Sequence, residues 1–150
     1  MISKIKQILA LTILAVTSAS CSMALLNDEE SSLNGEYTIV VNGIVSDVAS
    51  NDPLLNFRIT FTAYAENSLS VMPLITKTAY TDARGAYNFK ISGFSEPVTC
   101  EIKAECPEKT AQYEPMTNKI MVTWSGSSFD PDQKTFFVND CNFQMNPSTL

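Results

Sequence analysis

The stretch Phe57–Ala65 reads FRITFTAYA, and apolar residues occupy every second position of it. Successive side chains of a β-strand point to opposite faces, so this alternation predicts a strand with one buried face. From residue 36 onward, no stretch shows the three-to-four-residue period of an amphipathic helix. The predicted buried face of this strand comprises Phe57, Ile59, Phe61, Ala63 and Ala65.

The same alternation recurs on both sides of this strand. Near the start of the domain, Ile44 is out of phase with Ile39 and Val41, and the intervening Gly43 predicts a β-bulge. Near the end, the polar Asn139 interrupts the last apolar row. The further rows are Ile39 and Val41; Tyr87, Phe89 and Ile91; Val98, Cys100, Ile102, Ala104 and Cys106; Ile120, Val122 and Trp124; and Phe137, Cys141, Phe143 and Met145.

These rows predict about seven strands, each with one apolar face. A single flat sheet would leave those faces in water, whereas two packed sheets bury them against each other. The sequence therefore predicts an all-β fold, a two-sheet antiparallel β-sandwich, in one domain. Turn-forming residues separate the rows at 50–53, 82–85, 95–97 and 126–132.

The charge and the residue types exclude several classes of function. The 150 residues include no histidine, and 10 basic residues stand against 16 acidic ones, for a formal net charge of −6. Nucleic-acid binding needs a basic surface, so this class is excluded. Histidine is the commonest general base, the usual partner of a catalytic Ser or Cys, and a usual zinc ligand. We therefore expect a protein that is not an enzyme, with no catalytic residue, metal site or cofactor.

Residues 1–20 have the features of a secretory signal peptide. Lys4 and Lys6 give a positive start, residues 8–16 (ILALTILAV) are apolar, and small residues follow up to Cys21. The apolar run is shorter than the ~20 residues that a membrane-spanning helix needs. Residues 1–20 are therefore predicted to be removed from the mature protein.

The residues before Cys21 resemble the lipobox of bacterial lipoproteins, in the relaxed form that is frequent in Bacteroidetes. Ala19 and Ser20 match that pattern, whereas Ser18 stands where leucine is commonest. The resemblance implies that Cys21 is acylated and anchors the protein in the lipid bilayer of the outer membrane, facing the periplasm or the cell surface. The alternative is ordinary signal-peptidase cleavage, which would make the protein a secreted one.

Residues 21–35 are small, polar and acidic, which predicts a tether that leads to a β-sandwich domain over residues 36–150. Removal of residues 1–20 takes away two lysines and no acidic residue. The mature chain then has 8 basic and 16 acidic residues, and its formal net charge becomes −8.

Three segments follow one another in a recognisable order: residues 41–47 read VNGIVSD, residues 52–59 read DPLLNFRI, and residues 81–89 read TDARGAYNF. This order resembles the carboxypeptidase-regulatory-like domain, one of the transthyretin-like (prealbumin-like) sandwiches. The resemblance implies a prealbumin-like fold that serves as an accessory, interaction or stalk module. A weaker similarity, in length and layout alone, is to short Bacteroidetes lipoproteins associated with radical-SAM enzymes.

The third segment also contains the residues of a tight turn. Asp82 is placed to cap a tight turn, and Gly85 can supply the positive φ that such a turn needs. Tyr87 and Phe89 then return to the core face.

Three cysteines follow Cys21, and their spacing limits the disulfides they can form. Cys100 and Cys106 lie on one predicted strand, about 20 Å apart, which is beyond the reach of a disulfide. Only Cys141 can therefore pair with one of them, and Cys106, at a strand end, is the preferred partner. The equally weighted alternative is three buried thiols that pack as small apolar groups.

Two further groups of residues have a chemical and a structural interpretation. Asp130 and Asp132 have the spacing of oxygen ligands in calcium loops, and a loose cation site with Asp140 is one reading. The favoured reading is a polar turn between two strands, because the glycine and glutamate of a calcium loop are missing.

Trp124 with Tyr64, Tyr80 and Tyr113 is a candidate aromatic platform for sugar binding. The favoured reading is core burial of Trp124, which is in phase with Ile120 and Val122.

Taken together, the sequence predicts a membrane-anchored cell-envelope lipoprotein, not an enzyme, that acts as an interaction or accessory module. Its expected partners are the bilayer, through acylated Cys21, and an envelope protein or glycan. The alternative is a carbohydrate-binding module at the cell surface.

Overall fold

The computed structural model describes residues 33–66, 72–107 and 112–149. The predicted signal peptide, Cys21 and most of the predicted tether lie outside these residues. Within them, no helix has the length and apolar character to cross a membrane. The strands are β1 (Tyr37–Asp47), β2 (Arg58–Ala65), β3 (Ile75–Tyr80), β4 (Ala86–Phe94), β5 (Val98–Glu105), β6 (Met116–Val122), β7 (Phe129–Asp130), β8 (Thr135–Val138) and β9 (Phe143–Met145).

The strands form two sheets, and the prediction of an all-β, two-sheet sandwich is confirmed. The first sheet has the order β4-β1-β8-β7, with β9 also paired to β1, and the second has the order β3-β2-β5-β6. The second sheet is antiparallel throughout. The first is mixed, because β8 and β9 both run parallel to β1. Short β7, β8 and β9 bring the described strands to nine, rather than about seven.

The core lies between the sheets and is built from the predicted alternating rows. Phe57, Ile59, Phe61 and Ala63 are buried, and Phe61 meets Phe89 of the other sheet with ring centroids 5.8 Å apart. The rows of β4 and β5 are buried as well, at Tyr87, Phe89 and Ile91 and at Val98, Cys100, Ile102 and Ala104.

The predicted turn at residues 82–85 is confirmed. The Asp82 carboxylate accepts hydrogen bonds from the backbone N–H groups of Arg84 (2.8 Å) and Ala86 (2.9 Å). Gly85 has a φ of 71°, a conformation that favours glycine. This turn starts β4 in the phase that buries Tyr87 and Phe89.

The predicted bulge at Gly43 is wrong. β1 keeps its alternation through Gly43, so Val45 is buried and Ile44 points outward with 47% of its surface exposed. The register shift between β1 and β4 lies instead between Tyr37 and Thr38. Gly43 serves a close approach: a Cβ atom there would lie 2.0 Å from the Cys141 carbonyl oxygen.

The predicted last apolar row is wrong at its first member. Phe136, the register partner of Ile39, is buried, and Phe137 is only half-buried. Between β8 and β9 the chain bends at Asp140, whose φ is 58°. This bend shifts the inward phase by one residue, so Cys141, Phe143 and Met145 point inward as predicted.

Of the two equally weighted readings of the cysteines, the Cys106–Cys141 disulfide is not formed: Cys100, Cys106 and Cys141 are all free thiols, and Cys106 is only half-buried. The Cys141 Sγ atom lies 3.7 Å from the amide nitrogen of Asn118, which is the register partner of Ile102. Cys106 is four residues further along that row, a distance of about 13 Å. A disulfide needs Cα atoms within about 7 Å, so this separation along the strand direction keeps the two thiols apart.

We predict that Gly43→Ala destabilises the domain by about 3 kcal/mol, because a methyl group there would collide with backbone that cannot move aside. Chemical denaturation measures the free energy of unfolding. Gly126→Ala is the control: nothing lies within 4 Å of a Cβ atom there, and only its φ of 85° opposes a side chain. That backbone strain should cost about 1 kcal/mol. Equal losses in the two variants would contradict the close-approach role of Gly43.

Candidate functional site

The chain between β8 and β9, residues 139–142, runs alongside the middle of β1, on the edge opposite β4. We call these residues the β8–β9 connection. The backbone N–H of Cys141 donates to the Asn42 carbonyl oxygen at 2.9 Å. The backbone N–H of Ile44 donates to the side-chain oxygen of Asn142 at 2.8 Å. A side chain thus replaces the strand pairing that is lost between β8 and β9, and it fixes Asn142 beside β1.

Tyr87 holds the β8–β9 connection from the core side. Its hydroxyl group donates a hydrogen bond to the Cys141 carbonyl oxygen at 2.5 Å, directly beside Gly43. Burial, reinforced by this hydrogen bond, raises the pKa of Tyr87 far above its usual value. The phenol therefore stays protonated and donates to that carbonyl oxygen throughout the ordinary pH range.

On the outer face of the same sheet, β1, β4 and the β8–β9 connection bring a cluster of amide side chains together. The Asn42 nitrogen donates to the Asn139 side-chain oxygen at 3.4 Å. The Asn42 oxygen accepts a short hydrogen bond from the Asn88 nitrogen. Asn42 is thus held between Asn88 of β4 and Asn139 of the β8–β9 connection, which fixes its orientation.

Asn42 and Asn88 line an open groove of about 480 Å³, which we call the amide groove. The exposed Ile44 forms part of its floor. The polar lining residues that bear on its chemistry are Asn42, Asn88, Asn142, Asp82, Arg84 and Asp140.

Two carboxylates and one guanidinium set the charge of the amide groove. Hydrogen bonds from the backbone N–H groups of Ala86 and Arg84 hold the pKa of Asp82 below its ordinary value of 3.8. The Arg84 guanidinium lies 3.5 Å from this carboxylate, and its side chain is 86% exposed. Asp140 also lines the groove and is exposed. With one positive and two negative side chains, the groove suits uncharged polar ligands better than anions.

The candidate aromatic platform is not assembled. Trp124 stacks on Tyr37 with ring centroids 4.5 Å apart and planes 10° from parallel. Its indole nitrogen is buried, with no hydrogen-bond partner in the part of the chain described. Tyr64 and Tyr80 lie toward opposite ends of the β2–β3 pair, and the Tyr113 hydroxyl group is bound to Asp47 at 3.0 Å. The favoured reading is core burial of Trp124; the side chain is partly buried and packs against the core.

The Asp130–Asp132 segment forms the predicted polar turn. The Asp130 carboxylate accepts hydrogen bonds from the backbone N–H groups of Asp132 (2.9 Å) and Gln133 (3.1 Å). Over residues 33–66, 72–107 and 112–149, no group of three or more Cys, Asp or Glu side chains could hold a metal ion.

Sequence reasoning missed the amide groove because its residues come from three separate segments. Asn42 and Asn88 do fall on the outward phase of their strands, and that signal could have marked them. Asn142 lines the groove, and Asn139 bonds to Asn42, only because of the bend at Asp140, which alternation does not reveal.

No protein-family profile matches the sequence, and no curated protein matches it. The fold is similar to that of 3-chlorocatechol 1,2-dioxygenase from Rhodococcus opacus 1CP, with a TM-score of 0.50 and 14% identity over 77% of this chain and 61% of that one. For hydroxyquinol 1,2-dioxygenase from Pseudomonas putida DLL-E4 the TM-score is 0.49, with 11% identity over 79% of this chain and 59% of that one. A candidate carbohydrate-binding protein from Pseudomonas aeruginosa has a TM-score of 0.33 and 16% identity, over 73% of this chain and 92% of that one. This chain thus spans about three fifths of the length of the two dioxygenases.

The prediction that this chain is not an enzyme is contradicted, because the fold is similar to that of 3-chlorocatechol 1,2-dioxygenase, an enzyme. The fold therefore gives no ground for excluding catalysis here. The absence of histidine still limits which side chains could take part. At 14% identity the likeness concerns the fold alone, and no residue role follows from it.

We predict that Asp82→Asn lowers the melting temperature at pH 7, because the turn before β4 loses charge-assisted hydrogen bonds. The folded-state pKa of Asp82 is lowered below 3.8. The ionised carboxylate therefore stabilises the folded domain above pH 3.8, and this stabilisation is lost as the pH falls through the folded-state pKa. Melting curves of the variant and the wild type should therefore converge in acid. Asp132→Asn is the control, because in that turn the Asp132 backbone makes the hydrogen bond. A constant difference between the Asp82→Asn variant and the wild type at every pH would contradict the prediction.

Proposed function

We propose that this protein is a cell-envelope lipoprotein whose β-sandwich binds carbohydrate in the amide groove. The observation that carries the proposal is the Asn42 amide, held between Asn88 and Asn139 at the floor of an open polar groove.

The chemistry of the groove supports a sugar ligand. A sugar hydroxyl group both donates and accepts hydrogen bonds, and an amide side chain offers a donor and an acceptor side by side. Amides that already bond to one another lose little side-chain freedom when a ligand arrives, which favours affinity. Asp82, Asp140 and Arg84 add acceptors and donors at the rim.

The anchor is the second part of the proposal. Small residues before Cys21 follow an apolar run, and residues 21–35 have the composition of a tether. Two acyl chains on Cys21 would hold the protein stably at a membrane, where one chain would be marginal. The groove would then act on glycans at the outer membrane.

A second candidate function is attachment to another envelope protein, the accessory role that the resemblance to carboxypeptidase-regulatory-like domains implies. It is favoured by Met121, which is 60% exposed on the outer face of the second sheet. Tyr64 lies in the same row, with Thr99 of β5 between them. The two functions use opposite faces of the sandwich, so Met121→Asp should abolish protein attachment and leave glycan binding unchanged.

We predict that a glycan array probed with the full chain, in a detergent that contains no sugar, gives reproducible binding. Asn88→Ala should weaken that binding about fivefold to tenfold, since one hydrogen bond contributes about 1 kcal/mol. Isothermal titration calorimetry measures the dissociation constant for the array's best neutral oligosaccharide.

Lys90→Ala is the matched control for Asn88→Ala. Lys90 points outward from the same strand, two residues along, and does not line the groove. The control variant should bind as the wild type does. The absence of any glycan binding, or an equal loss of affinity in both variants, would contradict the proposal.

We predict that Cys21→Ala moves the protein from the membrane fraction to the soluble fraction, because it removes the acylation site. Immunoblots of fractionated cells measure the distribution, and Ser22→Ala is the control that should stay with the membrane. A Cys21→Ala variant that remains membrane-bound would show that the anchor lies elsewhere.

A further inference from the structure

The amide groove continues into a second groove of about 390 Å³, which we call the distal groove. The two share Ile44, Arg84 and Asn142, so they meet along one line on the outer face of β1. The distal groove has polar residues of its own, chiefly Asn51 and Gln144. Each groove therefore offers hydrogen-bonding side chains independently of the other.

The combined trough is elongated along β1. Along β1 it runs from Asn42 in the amide groove to Ser46 in the distal groove, which is about 13 Å of strand. Both grooves are open to solvent along this line. A single sugar ring would leave part of such a trough empty, whereas a short chain of rings would follow it.

The boundary between the two grooves is apolar and fixed. Ile44 is 47% exposed, and its backbone N–H is held by the Asn142 side chain at 2.8 Å. The C–H face of a sugar ring can pack on such a side chain and bury apolar surface. The exposed Arg84 guanidinium stands over the same boundary with several N–H donors for hydroxyl or ring oxygens.

The charge of the trough discriminates against acidic sugars. Asp82 and Asp140 line the amide groove, and Arg84 is the one cationic residue among those that line either groove. The whole chain carries a formal net charge of −6, so the surrounding potential is negative as well. A carboxylate or sulfate on the ligand would be repelled, and an uncharged chain would not.

We infer that the ligand is a linear, uncharged oligosaccharide of at least two rings, which crosses Ile44 and occupies both grooves as adjacent subsites. This inference rests on the proposed function and specifies its substrate class. Arg84 and Asn142, common to both grooves, contact the linkage between the rings.

The test is isothermal titration calorimetry of the full chain in a zwitterionic detergent. The probes are β-1,4-linked gluco-, manno- and xylo-oligosaccharides of one, two, four and six units, with β-1,4 oligomannuronates as the charged match of the manno series. For at least one neutral series, affinity should rise tenfold or more from one unit to four and then level off. The mannuronates should bind at least tenfold more weakly than the manno-oligosaccharides of equal length.

Two variants locate the subsites. Gln144→Ala, in the distal groove, should weaken tetrasaccharide binding severalfold, and Asn146→Ala, an amide two residues along that lines neither groove, should not. Asn88→Ala should weaken every length of neutral chain.

The outcomes separate the inference from the proposed function. Equal affinity for one and six units, no effect of Gln144→Ala, or preference for mannuronates would overturn the inference while carbohydrate binding stands. No binding of any probe would overturn both.

Discussion

The hydrogen bond from the Tyr87 hydroxyl group to the Cys141 carbonyl oxygen is the constraint on which the rest of this molecule depends. It forms inside the sandwich, where water offers no alternative partner, so breaking it leaves a buried polar group unsatisfied. It holds the β8–β9 connection against the edge of β1 at Gly43, which leaves room for the Cys141 carbonyl group. The same connection ends β8, begins β9 in a new phase and places Asn139 and Asn142 beside Asn42 and Ile44. One contact therefore links the core to the polar groove.

Local alternation was enough to predict most of the fold. The rows at Phe57–Ala63 and at Tyr87–Ile91 are buried as their period requires, and the turn at Asp82 has the cap and glycine that its sequence indicates. Two predictions failed: β1 keeps its alternation through Gly43, where a bulge was expected, and Phe136 rather than Phe137 is buried. Both positions depend on the β8–β9 connection, which is distant from β1 in sequence and which a period-two pattern cannot represent. The parallel pairing of β8 and β9 with β1 was equally hidden, because strand direction is set by connectivity.

The candidate site was less predictable, since its residues come together only in three dimensions. The sequence offered Trp124 and three tyrosines as a candidate sugar platform. In the structure Trp124 packs on Tyr37, and Tyr64 and Tyr80 lie toward opposite ends of the β2–β3 pair. The asparagines that do meet carried no distinctive spacing. The missing histidines limited the available chemistry, but the likeness of the fold to dioxygenases shows that composition alone could not exclude an enzyme.

The position of β1 has a consequence for how the protein matures. The first strand of the domain is completed on one side by β8 and β9, which are the last strands along the chain. Pairs so distant in sequence form late, because closing a long loop costs entropy before the contacts compensate for it. During synthesis β1 therefore keeps an open edge until β8 and β9 have been made. Chains that lose residues 139–150 would lack both β9 and the β8–β9 connection, and would expose an edge prone to association.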